Sequence, residues 1–136
     1  GLTNEVNRVF GSGSGIILYH AGFGIGANMA NQMKTHTQDR TKSFKEFNRV
    51  MKTRGWGNVS IEMAEHSDKS GRVTFADMPF HKKDASHEFL EMLLRGICTG
   101  FMSNILNTEK VSLHKEKCVA RGGDVCMFSF EIQGVT

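Results

Sequence analysis

The residues best suited to chemistry in this sequence are two cysteines, Cys118 and Cys126, on either side of the turn-forming run Ala120-Arg-Gly-Gly-Asp124. A hairpin through that turn would set the two sulfurs face to face, where they could clamp a metal. Zinc takes about four ligands; strand alternation adds His114 and Glu116 to the Cys118 face, and Cys98 is the remaining thiol. The same residues admit a second reading. Cys126, Phe128, Phe130 and Ile132 alternate as one buried stripe, in which thiols act as small hydrophobes. The six histidines form no His-x-x-x-His pair and the cysteines no Cys-x-x-Cys pair.

Gly11-Ser-Gly-Ser-Gly15 and Gly22-Phe-Gly-Ile-Gly26 crowd backbone amides together, as phosphate-binding loops do. Neither follows a strong strand and neither leads into Lys-Ser or Lys-Thr, so neither is read as a phosphate site. Gly22, Gly26 and Ala30 instead repeat every four residues, as do Gly96 and Gly100. Glycine is unfavourable in helix interiors, so two such strips predict helices packed backbone to backbone, within the chain or across a dimer.

The chain carries eight Met and ten Phe, soft and aromatic side chains that suit irregular cavities. A ligand pocket is expected between the first hairpin and the most hydrophobic helix. Its lining is Trp56, Phe75, Met78, Phe80, Phe89, Met92, Leu93, Ile97 and Phe101. No Ser/His/Asp or Cys/His arrangement is legible, and Glu62, Glu65 and Asp77 fall on solvated positions, so no catalytic residue is assigned.

Elements must position these residues. Leu2, Val6, Val9 and Phe10 recur at helical spacing, and Ile17, Ala21, Ile25 and Met29 mark one face of a second helix over about 16–33. Ser43 and Glu46 have capping-box spacing; Phe44, Phe47, Val50 and Met51 then make one apolar face until Gly55 stops the helix. The period next becomes two. Val59, Ile61 and Met63 alternate with smaller or polar residues, 68–71 turns, 72–75 returns, and Pro79 ends the hairpin. A helix capped by Ser86 carries Phe89, Leu90, Leu93, Leu94, Ile97, Phe101 and Ile105, and a second hairpin pairs 111–119 with 125–132. The expected fold class is α+β, an antiparallel sheet of two hairpins packed against several helices in a single domain over 1–136.

With 136 residues, 39% hydrophobic and 23% charged, the chain has the makeup of one globular domain. Its net charge of +3 is too small and too dispersed for nucleic-acid binding by this domain. No apolar run approaches the roughly 20 residues of a membrane span. No secretion signal opens the chain, so a cytoplasmic location is the expectation. In that compartment the three cysteines would stay thiols or metal ligands rather than form a disulfide. A chain opening on Gly1 reads as a domain cut from a longer protein.

Three segments of the C-terminal third carry a family resemblance. They are Gly96-Ile-Cys-Thr-Gly-Phe101, Val111-Ser-Leu-His-Lys-Glu-Lys-Cys118, and Gly122-Gly-Asp-Val-Cys-Met-Phe128, with seven residues between the two hairpin cysteines. Leu18-Tyr-His-Ala-Gly-Phe-Gly-Ile-Gly26 and Gly55-Trp-Gly-Asn-Val-Ser-Ile61 extend it over most of the chain. In these runs the sequence resembles the 4-vinyl reductase domain family. That resemblance implies a fold related to subunits of the vesicle-tethering (transport protein particle) complex, usually dimeric, with an internal cavity for small apolar molecules. Such domains serve as sensor modules in aromatic-responsive transcription regulators and as stand-alone proteins, and a relative is associated with bacteriochlorophyll synthesis. In phenol-sensing members a zinc is held by a Cys on the long helix, then a Glu, a Cys and a Cys in the terminal hairpin. Cys118 and Cys126 match the last two; Lys115 stands where the Glu is expected, and the helix position falls near Glu91. The resemblance therefore implies a metal-free variant or a site rebuilt from other residues.

The expected function is binding of a small apolar ligand, such as a hydrocarbon, aromatic or lipid-like molecule, by a homodimeric sensor or carrier module. One alternative is an accessory protein or enzyme of tetrapyrrole vinyl reduction, which would draw its redox cofactor from a partner. The other is a pure assembly module.

Overall fold

The computed structural model describes residues 13–76, 85–108, 110–120 and 124–133. In chain order these form helix α1 (Gly13–Lys34), helix α2 (Arg40–Thr53), strands β1 (Asn58–Met63) and β2 (Ser70–Ala76), helix α3 (Ala85–Ile105), and strands β3 (Lys110–Ala120) and β4 (Asp124–Gln133). The α+β architecture is the one expected. The helix expected at 2–10, together with Asp77, Met78, Pro79, Phe80 and the turn residues 121–123, lies outside the described residues. Helix α3 begins at Ala85, beside the expected cap Ser86.

Both hairpins are antiparallel and join through β2 and β4, giving the sheet order β1-β2-β4-β3. In this register Val73 lies opposite Phe128 and Phe75 opposite Cys126. Alternation puts Val59, Ile61, Val73, Phe75, Cys126, Phe128 and Phe130 on the buried face. The stripe predicted for β4 is therefore present. From α3, the residues Leu94, Ile97, Cys98, Phe101 and Met102 are all at most 1% exposed and belong to the same core. Phe101 stacks on Phe47 of α2 with ring centroids 4.2 Å apart, so α2 contributes to this core as well. Asn48 fastens α2 to the sheet by accepting a hydrogen bond from the Val59 amide at 2.8 Å.

Helix α1 packs on α3 through its small residues. A methyl group added to Gly22 would fall on the Leu93 carbonyl oxygen, and one added to Gly26 on that of Ile97; from the other side, Gly96 and Gly100 meet the carbonyls of Tyr19 and Phe23. The two glycine strips thus face each other within one chain. This overturns the face assigned to α1 from its large side chains. Met29 is buried, but Ile17 is 62% and Ile25 42% exposed, and Ala21 is exposed too. Close backbone approach excludes bulky residues from the seam, so the isoleucines are displaced to the opposite side.

The start of α2 also differs from expectation. Asp39 is its N-cap, accepting from the Lys42 amide at 3.2 Å, while Ser43 is buried one turn inside and Glu46 pairs with Arg49 instead of reaching back. The stop is as read. Gly55 has φ +82, a left-handed conformation that glycine adopts without a Cβ clash.

Candidate functional site

The residues expected to line an interior pocket separate into groups. Phe75, Ile97 and Phe101 are at most 1% exposed and interlock with Phe47 and Phe128 in the core. Leu93 and Trp56 are half-buried against that core, and Trp56 is held where its amide donates to the Met51 carbonyl at 2.9 Å. Phe89 and Met92 are half-buried, and Met92 lies beside Gly15 of α1, at the seam between helices. Met78 and Phe80 are outside the described residues. Open clefts cut the described surface, and the four best defined are lined by none of the seven described members of this set.

The terminal hairpin rearranges the expected metal ligands. A β-bulge between Lys115 and Lys117 inserts Glu116 as an extra residue in β3. Because of it, Lys115 pairs with Phe128 and Cys118 with Cys126, so positions 115 and 118 stand two apart on the β4 register despite their odd separation in β3. Simple alternation puts His114 and Glu116 on the Cys118 face. Both are exposed, and Glu116 lies 3.8 Å from Arg72 of β2.

On the helix-facing side, Lys115 Nζ meets the Glu91 carboxylate of α3 at 2.6 Å, too obliquely for a hydrogen bond but as a close ion pair. Glu91 is 9% exposed. The two positions that the family resemblance marks as zinc ligands are thus joined to each other. Cys126 is disulfide-bonded and Cys98 is a free, buried thiol. That disulfide corrects the expectation of thiols. A disulfide sulfur offers no thiolate, and an ammonium repels a divalent cation. This donor set does not fit zinc, and no group of three or more potential ligands gathers among the described residues. Burial also raises the pKa of the Cys98 thiol well above its ordinary value, which keeps it protonated and unreactive.

One cleft combines aromatic and cationic walls. It has a volume of about 400 Å³ and lies between α1, α3 and the edge strand β3, lined by Tyr19 and Phe23, then Arg95, Thr99 and Ser103, then 110–114. Arg95 Nη2 donates to the Leu113 carbonyl at 3.0 Å, and its guanidinium sits 5.3 Å from the Phe128 ring centroid. Apart from His114, sequence reasoning passed over the residues of this cleft as a site. Their signal is a spacing of four on both helices, 19/23 and 95/99/103, set apart from the apolar residues of α3. A second cleft of about 510 Å³ lies between α1 and α2, with Met29, Met33, His36, Glu46 and Arg49 in its wall. Hydrogen bonding to the Arg49 guanidinium lowers the Glu46 pKa.

No helix among the described residues is long and apolar enough to cross a membrane. No family model and no curated protein matches the sequence. Solved structures do share the fold. The chain superposes on a trafficking protein particle complex subunit 3 from Naegleria fowleri, covalently bound to palmitic acid, with a TM-score of 0.64 at 11% identity, covering 98% of this chain and 89% of that one. The phenol-responsive sensory domain of the transcription activator PoxR, solved with phenol, gives 0.67 at 16% identity and covers 96% and 71%. A mutant H-NOX from T. Tengcongensis gives 0.58 at 9%, covering 97% and 70%. The chain is therefore similar in fold to a trafficking-particle subunit, to a phenol-responsive sensory domain and to an H-NOX protein.

Proposed function

We propose that this chain binds a small apolar molecule between α3 and the sheet, as a sensor or carrier module of the type the 4-vinyl reductase resemblance implies. The observation that supports it most is the shared fold, which accompanies phenol in one similar structure and palmitic acid in another. The chain's own material is consistent with such a role. The helix-to-sheet interior is built from Phe47, Phe75, Phe101 and Phe128, with Met51 and Met102 among them. Methionine repacks at low cost around a guest, so a ligand would enter by displacing these side chains from a closed core.

Magnitudes separate the ligand classes. A single ring burying about 150 Å² gains about 4 kcal/mol at 25 cal/mol per Å², which before ordering costs corresponds to about millimolar affinity. A longer acyl chain buries more and binds correspondingly tighter. The test is native mass spectrometry of protein from its source, followed by calorimetric titration with phenol and with palmitic acid. A retained apolar adduct, or saturable binding that weakens at least tenfold in Phe101→Leu with the fold intact, supports the reading. An adduct-free protein that binds neither probe overturns it.

Homodimerisation is part of the same proposal. Ile16, Ile17 and Ile25, spread over the solvent side of α1, are the exposed large hydrophobic residues of the described chain, and a second copy would cover Ile17 with one of its neighbours.

A further inference from the structure

We propose that the cleft between α1, α3 and β3 is a second ligand site, selective for a small organic carboxylate with a flat apolar body. It differs from the interior site, because residues 95, 99 and 103 line it from one face of α3 while 94, 97 and 101 point into the core. The two readings can therefore fail separately. The cleft volume of about 400 Å³ lies within the range of small-molecule sites.

Charge indicates an anion. Arg95 and Lys110 line the cleft, and among the described residues no carboxylate does. Among the described residues no acidic side chain pairs with Arg95 or Lys110. Cations gathered in a concave site with partly apolar walls concentrate a counter-ion there. Arg95 is also held in place by its hydrogen bond to the Leu113 carbonyl and its position over Phe128. Its remaining N–H donors form a fixed fork suited to the two oxygens of a carboxylate.

A second, independent observation is Ser103. It is 6% exposed, it lines the same cleft, and its hydroxyl oxygen has no hydrogen-bond partner within the protein. A helical hydroxyl commonly bonds back to the preceding turn, as Thr99 does by donating to the Arg95 carbonyl at 2.7 Å. Leaving a buried hydroxyl unpaired costs about 1–3 kcal/mol; the oxygen is covered, and a carboxylate that parts the atoms over it would accept its proton. Tyr19 and Phe23, one helical turn apart, supply the surface for a flat apolar body.

The test is a titration of the full chain with benzoate, using benzyl alcohol as the neutral analogue and inorganic phosphate as the compact anion, followed by amide chemical shifts in NMR. Benzoate is expected to shift Thr99, Ser103 and Leu113 saturably, at least tenfold tighter than either comparison compound. Lys110→Gln and Ser103→Ala, each with an unchanged circular dichroism spectrum, should each weaken benzoate at least fivefold and leave any phenol binding unaltered. Absence of benzoate binding, equal binding of benzyl alcohol or phosphate, or indifference to both variants would overturn the proposal.

Discussion

The Glu91–Lys115 ion pair ties α3 to the edge strand of the sheet. The Glu91 carboxylate is buried and Lys115 is 41% exposed, so the pair is half screened and contributes less than a fully buried one. Lys115→Met strands a carboxylate in the interior. We expect it to lower the urea midpoint by the equivalent of about 1–2 kcal/mol, and Glu91→Gln combined with Lys115→Gln to recover more than half of that loss. If the double variant were as unstable as the single, the pair would not be the cause. Cys98 gives a pH prediction at the same scale. Its folded pKa lies above the ordinary 9.0, so the folded state holds a proton that the unfolded chain releases. The resulting stability is complete below pH 9 and is lost as pH rises above it, with a slope of up to about 1.4 kcal/mol per pH unit. Comparing that slope in Cys98→Ala with the parent isolates the thiol from the cavity cost, and native protein should resist alkylation at Cys98 until denatured.

Among the elements, the seam between α1 and α3 is the sharpest case of sequence pattern becoming geometry. Glycines four apart are costly in a helix, so their presence in two helices required a compensating contact, and the structure supplies it. Gly26→Ala and Gly100→Ala should each cost at least about 2 kcal/mol in chemical denaturation, because backbone carbonyls occupy the space a methyl would need. Gly24 has nothing within 4 Å of an added methyl group, and Gly24→Ala should stabilise by about 0.5–1 kcal/mol. Equal effects at positions 24 and 26 would contradict the seam. Periodicity misled where two patterns overlapped on α1, since the large side chains suggested one packing face and the small ones another. It also misled at β3, because a bulge shifts the pairing register by one residue and single-strand alternation carries no trace of it.

At the level of the whole molecule, the seam has a consequence for assembly. With the glycine strips consumed inside the chain, the proposed dimer is assigned to the exposed isoleucines of α1 instead. Ile17→Asp should leave the circular dichroism spectrum unchanged, because the side chain is 62% exposed, yet shift a dimer to monomer in light scattering across a dilution series. A parent chain that is monomeric at every concentration would remove homodimerisation from the proposed function.

What the amino-acid order determined by itself is local and periodic: the strand alternation, both hairpins, the apolar face of α3, the glycine strips and hence the α+β class. These follow from interactions between residues near in sequence, or from a period that one buried face imposes. Whether an interior is hollow or filled, which side a bulged strand shows, and whether Glu91 meets Lys115 were decided only by the tertiary structure. Those outcomes depend on contacts between elements far apart along the chain. The cleft holding Arg95, Ser103 and Lys110 belongs to the same class, since three separate elements must converge before its charges share one space.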